Sequence, residues 1–273
     1  MSEAEIALEL KTVHAAHPAL ADRIDAVSER FLAVPYHLGP MGEGDGGDFE
    51  RKPLYSFREL DCTTFVEETM ALSLEPDLGK AKALLQRIRY REGNVSYETR
   101  NHFPETDWIP NNAAAGFIED ITTRVAGGSA RWVKKTISKR EWYAQKCSAD
   151  LAGFPNEPPS VTAARVARWQ AIGAKIPDEE ARLPYLPVES LPALAASIPS
   201  GTIGNVVREA REDKPIVVTH QLLILQRPGG PIIRHAAFGK QVMDVGLLEY
   251  FARLKDAKWR ILGLNLNGIR QRP

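Results

Sequence analysis

The spacing of apolar residues changes along this chain, and that change limits what it can fold into. Through the first third the repeat is helical: Ala4 to Val13, Ala19 to Phe31 with Ile24, Val27 and Phe31, Cys62 to about Leu74 with Phe65, Val66, Thr69 and Met70, and Leu78 to Arg91 with Leu78, Ala81, Leu84, Leu85 and Ile88. His17-Pro18 separates the first two segments. The last third is β-branched instead. Pro215 to Leu225 predicts a strand, Arg227 to Pro231 a turn, Ile232 to Ala236 a second strand, and Arg260 to Leu266 a third after a short helix around Leu247 to Leu254. Helices first and hairpins last make an α+β fold, not alternating βαβ units.

Residues 1–33 read as a helical preface to a single domain spanning 1–273, and residues 113–185 as a largely helical insertion edged by the prolines of 155–159 and 184–192. Met41 to Asp48 contains four glycines and predicts a mobile, exposed loop; a phosphate cradle would need a Lys-Ser/Thr and a preceding strand that are missing. Asn94 to Asn112 holds Tyr97, Arg100, Asn101, His102, Trp108, Asn111 and Asn112, more rings, amides and charge than a plain connector carries.

Charge excludes one class of partner. Lys+Arg and Asp+Glu both number 35, so no global field draws nucleic acid or an anionic membrane. The local exception, Arg124 to Lys146, sets seven basic residues against Glu141 alone; it reads as solvated surface, with a rim for an anionic substrate as the sharper alternative. No run approaches the ~18 apolar residues of a membrane span. Met1 to Leu10 lacks the basic start and apolar core of a signal peptide. The expected location is periplasmic if a signal peptide once preceded this sequence, and otherwise cytoplasmic or exported by a signal-independent route.

The chemistry centres on Leu60-Asp61-Cys62-Thr63-Thr64-Phe65-Val66-Glu67-Glu68. Only two cysteines are present, far apart, which suits thiol chemistry better than a disulfide framework. Cys62 opens a helix, where free amides and the positive helix end favour a thiolate over a thiol of ordinary pKa ~8.5. Cys147 has no such setting. A nucleophilic thiol needs a base and a group to orient that base. His220 in one strand and His235 in the next can share a sheet face, His220 taking the Cys62 proton and His235 holding the far ring nitrogen. Strict alternation would put Val218, His220, Leu222 and Ile224 on one face, with the Cys62 helix across it. Glu67 and Glu68 point away along the helix and read as structural.

These residues resemble the NlpC-type papain-like cell-wall peptidases, and more narrowly the AmiA-like N-acetylmuramoyl-L-alanine amidase branch. The matching segments are VPYHLGP from Val34, DCTTFVEE from Asp61, IRYREG from Ile88, SYETRNHF, DWIPNN ending at Asn112, LPYLP around Tyr185, VVTHQLLIL and RHAAFG. The resemblance implies a nucleophile helix packed on an antiparallel sheet. It also implies Cys62 as nucleophile, His220 as base, His235 as orienting residue and Tyr36 bordering the site. The implied reaction is hydrolysis, through an acyl-enzyme and without a metal, of the bond between N-acetylmuramic acid and L-alanine of muropeptides. Asp61, Arg100, Asn111 and Asn112 fall in the matching segments and are expected to bind substrate, as is Arg89, since guanidinium suits stem-peptide carboxylates. Two positions depart from the superfamily pattern: Gln221-Leu222 replaces a glycine two residues after the histidine, and His235-Ala236-Ala237 replaces His-Ala-Ser. The alternatives are a stem-peptide endopeptidase, an acyltransferase with the same triad, and a non-catalytic peptidoglycan-binding module. A zinc site using His102, His220 and His235 would lack His-Glu-x-x-His spacing and leave Cys62 unused.

Overall fold

In a computed structural model that describes residues 2–271, the chain forms an α+β fold around an antiparallel sheet. Met1 and residues 272 and 273 of the expected 1–273 span lie outside the described residues. Helices α1 (Glu3–Ala16), α2 (Leu20–Glu29), α3 (Cys62–Leu74) and α4 (Leu78–Arg89) come first, then α5 (Ile109–Ala114), β1 (Ile118–Asp120) and α6 (Thr122–Ala126). Next are β2 (Arg131–Ile137), α7 (Lys139–Ala144), α8 (Pro159–Gly173), β3 (Glu179–Pro187) and α9 (Leu191–Leu194). The chain closes with β4 (Thr202–Arg208), β5 (Val218–Leu225), β6 (Ile232–Ala236), β7 (Val242–Gly246), α10 (Leu247–Arg253) and β8 (Ile261–Ile269). The strand order is β2-β3-β8-β4-β5-β6-β7, and β1 pairs with the far end of β8.

Alternation along the central strands separates two cores. Ile203, Val207 and Leu223 pack with Phe65, Val66 and Met70 of α3 and with Leu10, Val13, Ile24 and Val27 of α1 and α2. The opposite face sends Leu222, Ile224, Ile233, Leu264 and Leu266 against Leu247 and Phe251 of α10. Burying each large side chain contributes roughly 1.5–3 kcal/mol.

Helix α3 is the central element. Asp61 caps it, its Oδ1 accepting the Thr64 N–H at 2.8 Å while the Thr64 hydroxyl accepts the Asp61 N–H at 2.8 Å. Such reciprocal capping satisfies two otherwise orphaned donors and stabilises by about 1 kcal/mol. The helix is buried on all sides from Thr64 to Ser73, so its carboxylates need internal partners. Glu67 finds Arg89 Nη1 at 2.8 Å and the Trp108 indole N–H at 3.0 Å. Glu68 accepts the Ser56 N–H at 2.7 Å, and its other oxygen is buried without a partner.

Two expectations are corrected here. Residues 113–185 hold α6, α7 and α8 but are not helical throughout: they also supply β1, which pairs with β8, and β2 with most of β3, which pair with each other. The glycine-rich stretch is not a mobile exposed loop either. Met41 and Glu43 are buried, and the backbone doubles back through Glu43 N–H to Glu50 O (3.0 Å) and Gly44 N–H to Lys52 O (2.8 Å). A Cβ at Gly42 or Gly47 would stand 2.7 or 2.6 Å from the Glu50 carbonyl, so these glycines permit close packing, not motion. In the basic run, Arg124 pairs with Glu119, Lys134 with Glu180, and Lys139 with Asp107 and Glu179. Among the described residues no helix is long and apolar enough to cross a membrane.

Candidate active site

The start of α3 meets the sheet where β5 and β6 separate. Their ladder runs from Leu225–Ile232 only as far as Leu223–Arg234, leaving Gln221 and Ala236 unpaired with each other. Helix α3 packs on both strands there. The Cys62 thiol receives hydrogen bonds from the Gln221 backbone N–H and from Thr63. As the first residue of α3, Cys62 has a backbone N–H with no intrahelical acceptor.

A bulge sets the direction of His220. The β4–β5 pairing steps from Val206–His220 to Val207–Val218, so Thr219 is looped out. The expected common face of Val218, His220, Leu222 and Ile224 is therefore corrected: Val218 joins the α3 core with Leu223, while Leu222 and Ile224 join the α10 core. The histidines meet nonetheless. His220 Nε2 lies 2.7 Å from His235 Nδ1, with the rings edge-on and their centroids 4.9 Å apart. Tyr250 of α10 walls the pair, its ring centroid 6.4 Å from that of His220 and 5.4 Å from that of His235.

Electrostatics here runs against one expectation. Burial, seconded by the Asp61 carboxylate, pushes the Cys62 thiol up to about 11, outweighing the hydrogen bonds that pull it down. Burial, then His235 and Arg208, pushes His220 down to about 3. Burial pushes His235 down to about 4, although Asp244 acts in the opposite sense. Both directions favour the uncharged side chain at neutral pH, a thiol at Cys62 and an imidazole at His220, not the thiolate that the helix end alone would favour. Burial likewise raises the Tyr250 phenol to about 12.

Tyr36 borders the same place. It bridges to Leu60, its ring lies 5.2 Å from that of the exposed Phe238, and burial together with the charges of Cys62 and Asp61 raises its phenol. Asp61 is adjacent but occupied: beyond its cap, Oδ2 accepts the Gly39 N–H at 3.0 Å. Arg100, Asn111 and Asn112 are not brought to Cys62. Arg100 pairs with Glu43 and with Glu50 (2.8 Å), Asn111 donates to Asn101 (2.7 Å), and Asn112 is buried, donating to the Ile88 and Trp108 carbonyls. These loop residues are polar because they hold a buried network together. Arg89 is spent likewise on Glu67. His102 lies elsewhere, against Tyr97 and Trp142, and among the described residues no three His, Cys, Asp or Glu side chains group as metal ligands.

The sequence did not disclose a buried amide chain that ends beside the thiol. Gln221 Nε2 donates to Asn205 (2.9 Å), Asn205 Nδ2 to Asn265 (3.0 Å) and Asn267 (2.9 Å), and Asn265 Nδ2 to Asp120 (2.8 Å). It ties β5, β4, β8 and β1 together behind the residue whose N–H reaches Cys62. Arg208 and Tyr250 were missed as well; a lone arginine or tyrosine carries no local signal.

Comparison with known proteins adds the following. The family model described as AmiA-like, N-acetylmuramoyl-L-alanine amidase-like, matches residues 26–257. Among solved structures, a protein from Legionella pneumophila str. Philadelphia 1 is similar at 25% identity and TM-score 0.89, over 99% of this chain and 97% of that one. An N-acetylmuramoyl-L-alanine amidase from Bacteroides uniformis has the same fold at 24% identity and TM-score 0.67, over 92% of this chain and 99% of that one. No curated protein matches.

Proposed function

The chain belongs to the AmiA-like, N-acetylmuramoyl-L-alanine amidase-like family, and from that premise we propose that it is a cysteine amidase of peptidoglycan fragments, built on an NlpC-type papain-like core. The bond cleaved is the amide between the lactyl carbonyl of N-acetylmuramic acid and the amino group of L-alanine. The observation that carries this reading is the 2.7 Å pairing of His220 and His235 beside the start of the Cys62 helix.

The steps follow from the atoms. For His220 to act as the base its Nδ1 must be the free acceptor, which the 2.7 Å contact allows when His220 Nε2–H donates to His235 Nδ1. Because thiol and imidazole are both neutral at rest, proton transfer accompanies attack: Sγ bonds to the scissile carbonyl carbon as His220 takes the thiol proton. The oxyanion accepts from the free Cys62 N–H. Collapse breaks the C–N bond, and the imidazolium passes its proton to the departing L-alanine amine. Water, deprotonated by His220, then attacks the thioester, releasing the muramic carboxylate and regenerating the thiol. The amide chain from Gln221 to Asp120 holds β5 rigid through these steps.

The deciding experiment treats defined muropeptides with the wild type and with Cys62→Ala and identifies products by mass spectrometry. Free stem peptide from the wild type alone supports the amidase. Cleavage within the peptide would assign the endopeptidase alternative, and no cleavage by the wild type would leave a binding module.

A further inference from the structure

Arg89 and Arg100 are neutralised by carboxylates, but Arg208 is not. It closes β4 where both flanking ladders lose register: the pairing with β5 shifts between Val206 and Val207, and the pairing with β8 between Val207 and Arg208. Paired irregularities of this kind re-aim a side chain. Arg208 Nε donates to the hydroxyl of the looped-out Thr219 at 3.0 Å, Nη1 donates to the Trp259 carbonyl, and the Trp259 ring lies 5.4 Å from the guanidinium carbon. Neighbouring Glu209 turns to Arg260 instead. Among the described residues no carboxylate pairs with Arg208, and its Nη2 has no hydrogen-bond partner. It is close enough to His220 and Tyr250 to act on the charge of both.

A guanidinium that has lost part of its water and is held only by neutral acceptors is costly unless an anion completes it. Its planar fork suits a carboxylate. We propose that Arg208 is a substrate-carboxylate subsite, binding the free carboxylate of the peptide residue that follows L-alanine. This rests on the amidase reading, in which the sugar side of the scissile bond is neutral and the peptide side carries the acids. Thr219 and Trp259 hold the fork in place, so little side-chain entropy is lost on binding.

The test compares N-acetylmuramoyl-L-alanyl-D-glutamic acid with its fully amidated form. The wild type is expected to favour the acid at least tenfold in kcat/KM, Arg208→Gln to bring the ratio to about one, and Arg208→Lys to fall between. An unchanged ratio in Arg208→Gln, or an equal loss on both substrates, overturns the proposal in favour of a purely structural role. A second measurement needs no turnover: calorimetric titration of Cys62→Ala with L-alanyl-D-glutamate, repeated in Cys62→Ala/Arg208→Gln. At least tenfold weaker binding in the double variant supports the subsite; equal binding, or none to Cys62→Ala, overturns it. If the wild type cleaves neither substrate, the amidase reading fails alone and the titration still decides Arg208.

Discussion

His220 Nε2 and His235 Nδ1 stand 2.7 Å apart, one imidazole edge-on to the other. The third member of the proposed triad is therefore neutral: it fixes a tautomer and contributes little charge stabilisation to an imidazolium. Orientation is then its main contribution. His235→Ala is expected to lower kcat by about 10²–10⁴-fold, the range associated with losing a positioned acid–base partner. His235→Asn, which keeps an acceptor, should retain more. Steady-state kinetics on a defined muropeptide checks this; equal losses in the two variants would remove the tautomer argument.

Both histidines titrate below their ordinary value, and the sign of the stability effect follows. Folded His220 and His235 stay neutral down to about 3 and about 4, whereas in the unfolded chain they protonate near 6.5. Below that pH the unfolded state binds more protons, so stability is lost as pH falls from about 6.5 toward 4. Half-buried His102, whose value is likewise pushed down, adds in the same direction. The melting temperature should therefore drop between pH 7 and pH 4, and drop less in His220→Gln/His235→Gln. A double variant as acid-sensitive as the wild type would assign the effect to other groups.

The parts of the fold legible in the sequence are those whose signal is local. Helix α3 begins and ends where the apolar period places it, at Cys62 and Leu74. Strands β5 and β6, the turn between them and α10 were readable from β-branched runs and Pro-Gly chemistry. Strand β4 was not, because its central Asn205 looks wrong for a buried strand until Asn265 and Asn267, sixty residues on, satisfy it. Among the described residues strand β2 pairs only with β3, and its lysines and Trp132 hide its period. In the candidate site the residue types and the meeting of His220 with His235 were legible, and the strand register was not: the Thr219 bulge depends on pairing with β4, which no local pattern encodes. Arg100 and Asn112 illustrate the converse, since a motif rich in polar groups looks the same whether it faces a ligand or a buried network.

The Glu67–Arg89 pair lies wholly inside the helical core, with a 2.8 Å contact and side chains exposed by only 1% and 6%. Removing one member strands the other charge. Arg89→Met should cost about 3–5 kcal/mol, because it also frees the Met41 carbonyl that Arg89 Nη2 reaches at 3.0 Å. Glu67→Gln/Arg89→Met should cost less than the sum of the single changes. Urea unfolding of the three variants measures this, and strict additivity would show that the charges are not coupled.

Glu68 is a different buried carboxyl, with no basic partner in ion-pair contact among the described residues. Burial pushes it up to about 8 against the Ser56 N–H that lowers it. The folded state thus holds a proton that the unfolded chain releases near 4.5, and the stability this contributes is lost as pH rises through 8. Glu68→Gln keeps an acceptor for Ser56 and cannot ionise. Its stability relative to the wild type should improve from pH 6 to about pH 8 and level off above that in denaturant titrations. A difference that does not change with pH would mean Glu68 is already ionised at pH 6.

Asp61 both builds and restrains the thiol's setting. Its Oδ1 caps α3 at Thr64, and its negative charge is the second cause, after burial, of the raised Cys62 pKa. Those roles separate in Asp61→Asn. The amide oxygen still caps the helix, as asparagine does about as well as aspartate; the Gly39 N–H loses one acceptor, and the charge is gone. Removing an anion next to a thiol favours its ionised form. The inflection of the iodoacetamide rate against pH should therefore move below that of the wild type measured alongside, with stability within about 1 kcal/mol of wild type. Asp61→Ala shifts the inflection in the same direction but loses the cap, at a further cost of about 1 kcal/mol. An inflection unmoved in both variants would show that burial alone sets the thiol, and that Asp61 serves only the helix.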